Sequence, residues 1–336
     1  MYSFCSYLDH NYLSRALALY ESLEKHFPEF ELYVLCLSDQ CYNILQRLDL
    51  PKVQLIKLKE FESYDTDLRE AKKNRSVIEY YFTMSPCLPL FIFSRFPNVQ
   101  MITYLDTDLY FFSNPKVIFE EISDHSIAII EHRFSPHLKH REIYGIYNVA
   151  WNTFRRDENA LECLNWWRER SIEWCYDRVE EGKYNEQRYL DDWPERFNKV
   201  IVIKHKGANL APWNIDNYHI STRNGNVFVD NDPLIFYHFH AVKQIKGPLY
   251  DSGLSLYESK LTENILEFIY KPYIKHLRKV EESVRSKNIN LWYDDIRERA
   301  KYIKLEELLP QTYAIIKKIR TVIKLIYTKT YILDYG

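Results

Sequence analysis

Two aspartates, Asp106 and Asp108, stand one residue apart at the end of an apolar segment, in MITYLDTDLYFF. In an extended loop, residues i and i+2 project to the same side, so the two carboxylates can converge on one cation while Thr107 points away. A divalent cation held by such oxygen ligands neutralises a diphosphate as the bond to it breaks. The pair is therefore interpreted as a divalent-metal site, against the alternative of two solvated loop residues.

The segments around these aspartates alternate between short apolar strands and one-sided helices. Leu13, Ala16, Leu17, Tyr20, Leu23 and Phe27 recur at helical spacing between two apolar segments, which is typical of a βαβ unit in a parallel sheet. The predicted fold class is α/β, with a mixed, mostly parallel central sheet flanked by helices. The predicted strands are Tyr2–Tyr7, Glu31–Leu37, Val53–Leu58, Gln100–Leu105, Ser126–Glu131, Asn148–Phe154, Val200–Ile203, Asn226–Val229 and Leu234–Phe239.

Ligands of such sheets bind beyond the carboxyl ends of the strands. Asp9 follows the first predicted strand, and Asp106 and Asp108 follow the fourth. Farther along the chain, Asp157 is the predicted N-cap of a long helix, and a second helix is predicted to begin near Asn185. The catalytic unit is predicted to end near residue 250, followed by a helical tail.

The composition excludes some partners. The formal net charge of −2 gives no basic field, so we expect no nucleic-acid partner. The six cysteines lack CxxC spacing and lie partly in apolar segments, which is typical of buried, reduced thiols. The first residues do not resemble a signal peptide, and no apolar run approaches about 18 residues. A cytoplasmic location is expected.

Four segments carry a resemblance to a known family: YLDTDLYFFSNP, NVAWNTF, EQRYLD and YHFHAVK, in this order. The chain resembles glycogenin and the bacterial lipopolysaccharide sugar transferases, which are retaining glycosyltransferases, over approximately residues 1–250. The resemblance implies the Rossmann-like GT-A fold for residues 1–250 and a helical extension for residues 251–336. It also implies transfer of a hexose-type sugar from a nucleotide diphosphate donor, with uridine diphosphate preferred, to a glycan or a lipid-linked glycan.

In this family the Asp-x-Asp motif holds a divalent cation, which implies that role for Asp106 and Asp108. A late histidine completes the site, and His238 stands at its place, with His240 as the rival on the same side of the strand. An imidazole ligand favours Mn²⁺ over Mg²⁺. Ala241 replaces the family's glycine, and Lys243 stands at the place of a phosphate-binding lysine, the alternative being a solvated lysine.

The resemblance also implies a nucleotide pocket. It would contain Ser6, Tyr7 and Asp9 from the first strand and its loop, together with Tyr12, which can equally be a helix-packing residue. Arg75 resembles a basic residue that approaches the donor, although its charged neighbours favour a solvated surface.

On the sugar side, Asn148 and the Glu186–Gln187 pair match residues that contact the donor sugar in relatives, with Ala150 in place of a glycine and Glu186 in place of an aspartate. A double displacement needs a carboxylate nucleophile, for which Asp191 and Asp192 are the candidates and Gln187 is unsuitable. The family instead suggests front-face attack, in which Gln187 helps to position the sugar. Trp213 is a candidate platform for the acceptor.

The tail carries a basic amphipathic pattern. Its apolar positions are Ile315, Ile316, Ile319, Val322, Ile323 and Ile326. Such a helix can lie on an anionic membrane, or it can pack on its own domain or on a second subunit of an oligomer. Two other functions stay open: a sugar nucleotidyltransferase, disfavoured by the lack of glycine in SFCSYLDHNYL, and a catalytically silent binding module for a sugar or nucleotide.

Overall fold

The computed structural model describes residues 1–287 and 321–334. These residues contain fifteen strands, eleven α-helices and a further helical segment over residues 321–328. The strands are β1 (Tyr2–Leu8), β2 (Phe30–Cys36), β3 (Val53–Lys57), β4 (Met101–Leu105), β5 (Leu109–Phe111), β6 (Ile127–Glu131), β7 (Tyr147–Arg155), β8 (Val200–Ile203), β9 (Ile220–Arg223), β10 (Asn226–Val229), β11 (Asp232–Pro233), β12 (Phe236–His238), β13 (Lys243–Lys246), β14 (Leu249–Asp251) and β15 (Tyr331–Leu333). The α-helices are α1 (Leu13–His26), α2 (Asp39–Leu48), α3 (Leu58–Tyr64), α4 (Thr66–Ala71), α5 (Val77–Met84), α6 (Cys87–Arg95), α7 (Lys116–Ile122), α8 (Glu158–Glu173), α9 (Trp193–Arg196), α10 (Glu263–Ile265) and α11 (Lys271–Ser286).

A seven-stranded sheet with the order β3-β2-β1-β4-β7-β6-β8 forms the centre of the molecule. All of its neighbouring pairs are parallel except the two that involve β7, so β7 alone runs against the other six strands. The sheet is mixed and mostly parallel, which confirms the predicted α/β class. The carboxyl ends of β1, β4 and β6 therefore meet at one edge, where β7 begins.

Helices cover both faces of this sheet, as a sheet buried on two sides requires. One apolar cluster joins the sheet to α1, α2, α7 and α11, and a second joins it to α3, α4, α5, α6, α8 and α9. Trp151 of β7 and Phe4 of β1 are fully buried in the first cluster, and Trp167 of α8 in the second. The aromatic-rich composition thus fills much of the core. All six cysteines are buried and free, as predicted.

Local sequence signals set several helix starts. The Asp157 side chain accepts a hydrogen bond from the Ala160 amide at 3.0 Å, so Asp157 is the N-cap of α8, as predicted. Ser38 caps α2 in the same way through the Cys41 amide. Each such cap contributes about 1 kcal/mol by satisfying an amide that would otherwise have no partner in the helix.

The second helix, predicted to begin near Asn185, begins at Arg188 and is not a continuous α-helix. Asn185 has a left-handed backbone (φ 36°), and the chain continues as a 3₁₀ helix, Arg188–Asp192, and the four-residue α9. Pro194 explains the break, because its nitrogen carries no hydrogen to donate to the carbonyl four residues earlier.

Residues beyond the predicted boundary at 250 pack on those before it. Helix α11 lies against α1 and buries Val280 and Val284 in the first cluster, and β15 pairs with β14. The boundary itself stays a prediction. Shorter elements lie along the described chain: 3₁₀ helices His10–Tyr12, Lys72–Asn74, Pro136–Tyr144, Ile215–Asn217 and Leu254–Leu256, and a π-helix, Leu266–Tyr270.

The predicted basic amphipathic helix lies largely outside the described residues, including Ile315, Ile316 and Ile319. Within residues 321–328, which are helical, Ile323 and Ile326 are each 60% exposed and Leu325 is buried. In the described part of the chain, no single helix has the length and hydrophobicity to cross a membrane. Helices α5 and α6 reach that length only as a pair bent by 49°.

Candidate active site

The pairing of β5 with β12 brings the predicted aspartates to a histidine far away in the sequence. These two short strands are antiparallel, with Leu109 opposite His238, and the Phe239 amide donates to the Asp108 carbonyl at 2.9 Å. The Nε2 atom of His238 consequently lies 3.1 Å from Oδ1 of Asp108 and 3.8 Å from Oδ2 of Asp106. The Asp-x-Asp motif and His238 thus meet at the carboxyl end of β4.

His240 belongs to the same cluster. Ligand atoms of Asp108, His238 and His240 lie within 4.8 Å of one another. The structure therefore brings together both histidines between which the sequence left a choice, with Asp106 beside them. Asp106, Asp108, His238 and His240 are called the Asp–His cluster below.

The chemistry of the Asp–His cluster fits a divalent cation. His238 is 3% exposed, and its Nδ1 has no hydrogen-bond partner among the described residues. Burial lowers the pKa of His238, but the Asp108 and Asp106 carboxylates outweigh burial and hold this pKa above its ordinary value. Burial likewise raises the pKa of Asp108, and the two imidazoles more than reverse that effect. Carboxylate oxygens and imidazole nitrogens are a donor set for Mn²⁺ and similar ions.

The loop that carries His240 has an unusual backbone. Ala241 has φ 63°, a left-handed conformation that glycine adopts more easily, and it stands where the family resemblance has a glycine. The loop packs against Gly253 (φ 78°), where there is no room for a side chain because a Cβ would lie 2.5 Å from the His240 carbonyl oxygen. The loop thus keeps a glycine-like shape despite its alanine.

Ser6 and Tyr7 lie at the end of β1 beside this cluster. The Ser6 hydroxyl donates to the Leu105 carbonyl at 2.7 Å, and the Tyr7 hydroxyl lies 3.1 Å from that of Ser85. The ring of Tyr7 packs 5.6 Å from that of Tyr104, whose hydroxyl donates to Asp106 at 2.9 Å. Both residues therefore fix the end of β4 from which Asp106 projects.

The other predicted nucleotide residues of this region lie at the start of α1. The Asp9 side chain accepts from the Asn11 amide, and the Tyr12 ring lies under the guanidinium of Arg15 at 5.0 Å. Arg15 was missed from the sequence. It donates to the Val242 carbonyl at 2.8 Å, in the loop after His240, and its charge helps to lower the pKa of Asp108. The sequence indicates Arg15 in one way only: it lies three residues after Tyr12, a spacing that places two side chains next to each other on a helix.

Arg75 and Lys243 lie in different settings. Arg75 donates to the Ile172 carbonyl at 2.9 Å and covers the ring of Tyr176 at 4.1 Å, so it is held against the α8 side of the molecule rather than fully solvated. Lys243 is exposed on β13, where it pairs in register with Asp251 of β14.

Asn148 and Gln187, which are both predicted to contact the donor sugar, lie side by side. The Asn148 side-chain nitrogen donates to Oε1 of Gln187 at 3.2 Å, and Nε2 of Gln187 donates to the Tyr144 carbonyl at 2.9 Å. The same Asn148 nitrogen lies 3.1 Å from Nε2 of His132, a residue that the sequence did not single out. His132, Asn148 and Gln187 are called the amide relay below.

The two candidate nucleophiles are engaged elsewhere. Asp191 accepts from the backbone amides of Ile146 at 2.8 Å and Tyr147 at 3.4 Å, and it forms an ion pair with Arg188. The Asp192 side chain is 61% exposed and lies 3.7 Å from Arg196. Neither carboxylate joins the Asp–His cluster.

Glu186 and Trp213 are both buried. Oε1 of Glu186 accepts from Ser85 at 3.4 Å, while Oε2 has no partner among the described residues. Burial raises the pKa of Glu186 well above its ordinary value, which favours the neutral acid. Trp213 is 2% exposed and packs edge-on at 5.0 Å from His238 and 5.2 Å from His132. It forms a wall between the Asp–His cluster and the amide relay rather than an open platform.

The structure is similar to that of the galactosyltransferase LgtC in complex with donor and acceptor sugar analogs. The TM-score is 0.50 at 14% sequence identity, and the similarity covers 85% of this chain and 99% of LgtC. Together with the central sheet and the site at its edge, this likeness shows that the chain has the GT-A fold of glycosyltransferases. No model of a known protein family matches the sequence.

Two proteins of Bacillus subtilis (strain 168) are similar to the chain in sequence. The uncharacterized protein YfnD is 33% identical over 288 residues, which are 85% of this chain and 91% of YfnD. The uncharacterized protein YfnF is 31% identical over 245 residues, which are 70% of this chain and 80% of YfnF. The chain belongs to the family of YfnD.

Proposed function

We propose that the protein is a divalent-metal-dependent glycosyltransferase. It would move a hexose-type sugar from a nucleotide diphosphate donor, with uridine diphosphate preferred, to a glycan or lipid-linked glycan. The observation that carries this proposal is the Asp–His cluster at the carboxyl end of β4, next to paired amides from Asn148 and Gln187, in a GT-A fold. LgtC, which has this fold, binds donor and acceptor sugar analogs, and this supports the same two partners here.

Asp106, Asp108 and His238, with His240 beside them, would hold the cation, with Mn²⁺ preferred to Mg²⁺. When bound, the cation neutralises the charge that develops on the departing diphosphate. Ser6, Tyr7, Asp9 and Tyr12 would line the nucleotide side, and Arg15 adds a positive charge near Asp108. Arg75 and Lys243 stay as candidates for donor contacts.

The carboxylates near Gln187 favour front-face attack with retention of configuration. Asp191 uses both oxygens in hydrogen bonds and an ion pair, and Asp192 faces Arg196 and solvent. Burial raises the pKa of Glu186, which favours its neutral and weakly nucleophilic acid form. We infer that the donor phosphate takes the acceptor proton, while Asn148 and Gln187 orient the sugar.

The surface beside Gln187 favours an acceptor with an apolar part. Ile143, Tyr144 and Ile146 are 48%, 37% and 38% exposed, and the Tyr144 carbonyl accepts from Gln187. Three exposed apolar side chains at the mouth of the site suit the hydrocarbon chain of a lipid-linked glycan. Such an acceptor fits a cytoplasmic enzyme that associates peripherally with the inner face of the cell membrane.

Hydrolysis of donors tests the proposal directly, because many transferases slowly pass the sugar to water. Purified protein is incubated with a panel of nucleotide sugars, with Mn²⁺ or with a chelator, and the released nucleotide is measured. We expect one donor to be cleaved with Mn²⁺ and none with the chelator. Binding of nucleotide and Mn²⁺ without turnover on water or any glycan would instead favour a silent binding module.

A further inference from the structure

We propose that His132 is a positioning residue, which sets the orientation of both amides in the amide relay. The inference rests on the proposed function, in which Asn148 and Gln187 face the transferred sugar. It begins from a contact at the end of β6: the Ile146 carbonyl accepts from the His132 backbone amide at 2.9 Å and lies 3.2 Å from its Nδ1. Since a carbonyl oxygen only accepts, Nδ1 carries the ring proton.

The other ring nitrogen of His132 is therefore an acceptor. The ring is 5% exposed, stacks on Phe134 at 4.6 Å with an interplanar angle of 7°, and meets the edge of Trp213. Burial lowers the pKa of His132 to about 3, so the ring stays neutral and Nε2 keeps its lone pair at neutral pH. Only a hydrogen-bond donor can face this atom.

The next step of the relay follows from that lone pair. Asn148 must turn its nitrogen, not its oxygen, toward Nε2 of His132 at 3.1 Å. The oxygen of the Asn148 amide supports this orientation, because Oδ1 accepts from the Ala150 amide at 3.3 Å. The second hydrogen of the Asn148 nitrogen then goes to Oε1 of Gln187 at 3.2 Å.

Gln187 is oriented by the same logic. Its Oε1 is occupied by Asn148, and one hydrogen of its Nε2 goes to the Tyr144 carbonyl. The second hydrogen of Nε2 remains available for a sugar oxygen, so the relay presents a donor rather than an acceptor at this point. A phenylalanine ring would also fill the His132 pocket, so packing alone does not require a histidine. The hydrogen bond from Asn148, in contrast, needs an acceptor at the position of Nε2, which phenylalanine lacks.

Two substitutions separate positioning from packing. His132→Phe keeps a ring between Phe134 and Trp213 but offers no acceptor, and we expect kcat for sugar transfer to fall about 10- to 100-fold, with the KM for the donor changed by less than about threefold. His132→Gln places an amide oxygen near the position of Nε2, and kcat should recover to within about fivefold of the wild type. Wild-type kcat in the phenylalanine variant, or equal losses in both folded variants, would overturn the proposal.

A second measurement does not depend on turnover. NMR of uniformly ¹⁵N-labelled protein reports which ring nitrogen of His132 carries the proton, and the side-chain amide signals of Asn148 and Gln187 in the same sample report their contacts. We expect the proton on Nδ1, and we expect both amide signals to shift in His132→Phe but not in His125→Phe, at the other edge of the sheet. If the wild type transfers no sugar, the proposed function fails, yet this measurement still decides the relay. A proton on Nε2, or unshifted amides, would refute it.

Discussion

The Asp–His cluster and the amide relay stand on either side of Trp213, and they are held in opposite ways. In the cluster, carboxylates and imidazoles face one another at 3.1 and 3.8 Å, and His238 keeps a buried nitrogen without a partner among the described residues. In the relay, neutral groups from His132, Asn148 and Gln187 satisfy one another through hydrogen bonds. The Asp–His cluster thus offers charged ligands to a cation, whereas the groups of the amide relay are neutral and already hydrogen-bonded to one another.

This difference separates two kinds of catalytic contribution. In the proposed function, the ionic ligands would act through the cation charge that they hold near the donor diphosphate, which is worth several kcal/mol in a site shielded from water. A closed network of neutral groups acts through geometry, because its members need not rearrange when the sugar arrives. Substitutions in the Asp–His cluster and in the amide relay should therefore reduce sugar transfer by different amounts and for different reasons.

The largest effect is expected on the ionic side. Asp108→Ala removes a carboxylate that faces both histidines, and we expect metal-dependent sugar transfer to fall about 10³-fold or more, while the thermal unfolding midpoint changes little. Kinetics at a series of Mn²⁺ concentrations measure this. The matched control is Asp124→Ala, an exposed aspartate before β6 at the other edge of the sheet, which should keep wild-type rates. A folded Asp108→Ala protein with normal turnover would remove the metal assignment.

On the neutral side the expected losses are smaller and concern geometry. Gln187→Ala should lower kcat about 100-fold. Asp191→Asn keeps an oxygen for the Ile146 and Tyr147 amides, so its kcat should fall less than about tenfold, whereas loss of a nucleophile would cost about 10³-fold or more. Steady-state rates of both variants, with the same donor and acceptor, make the comparison. A loss in Asp191→Asn larger than in Gln187→Ala would restore the double displacement.

Glu186 lies between the two sides and makes stability depend on pH. Burial, and next the Asp106 and Asp177 charges, raise its folded-state pKa, while the backbone and Ser85 hydrogen bonds only partly oppose this. Its contribution to stability is thus complete below the unfolded-state pKa of about 4.3 and is lost as the pH rises toward the folded-state pKa, by up to about 1.4 kcal/mol per pH unit. Glu186→Gln removes this loss.

We therefore expect the unfolding midpoint of Glu186→Gln, relative to the wild type, to be several degrees higher at pH 8 than at pH 5, at about 2 to 4 °C per kcal/mol. Thermal melts at the two pH values test this. Glu169→Gln, an exposed glutamate on α8, is the control and should show no such difference. A pH-independent offset would mean that Glu186 is ionised in the folded protein.

The smallest effect concerns the loop that carries His240. Because Ala241 has φ 63°, Ala241→Gly should relieve backbone strain and raise the free energy of unfolding by about 1 kcal/mol. The matched change Ala18→Gly, inside α1, should lower it by about 1 kcal/mol or more. Chemical denaturation of the three proteins measures both values. A destabilised Ala241→Gly protein would show that the Ala241 methyl group contributes more by packing than it costs in strain.

Much of the fold could be predicted because its signals are local. Alternating apolar segments gave the strands of the central sheet within one or two residues, and the apolar face of α1 and the cap at Asp157 are properties of short windows. The error at Asn185 is also local, because Pro194 lacks the amide hydrogen that a continuous α-helix would use there.

The site was less accessible, because its contacts join distant parts of the chain. The Asp-x-Asp motif could be found in one loop, but the meeting of His238 with Asp108 depends on the pairing of β12 with β5, a three-residue strand too short to show a period. His132 and Arg15 had no motif, since their partners Asn148 and Val242 lie 16 and 227 residues away. The sequence gives no sign of a hydrogen-bond partner for Asp191, and only the fold shows that it accepts from the amides of Ile146 and Tyr147.

Strand β7, the one antiparallel strand of the central sheet, contributes to both the Asp–His cluster and the amide relay. Its Ala150 carbonyl accepts from the Asp106 amide at 3.2 Å, and two residues earlier its Asn148 enters the amide relay. An insertion within β7 would turn its side chains to the wrong face and damage both at once. An insertion in the 3₁₀ segment Pro136–Tyr144, before β7, would leave that register intact. The surface beside Gln187 can thus be altered in this segment without moving Asp106.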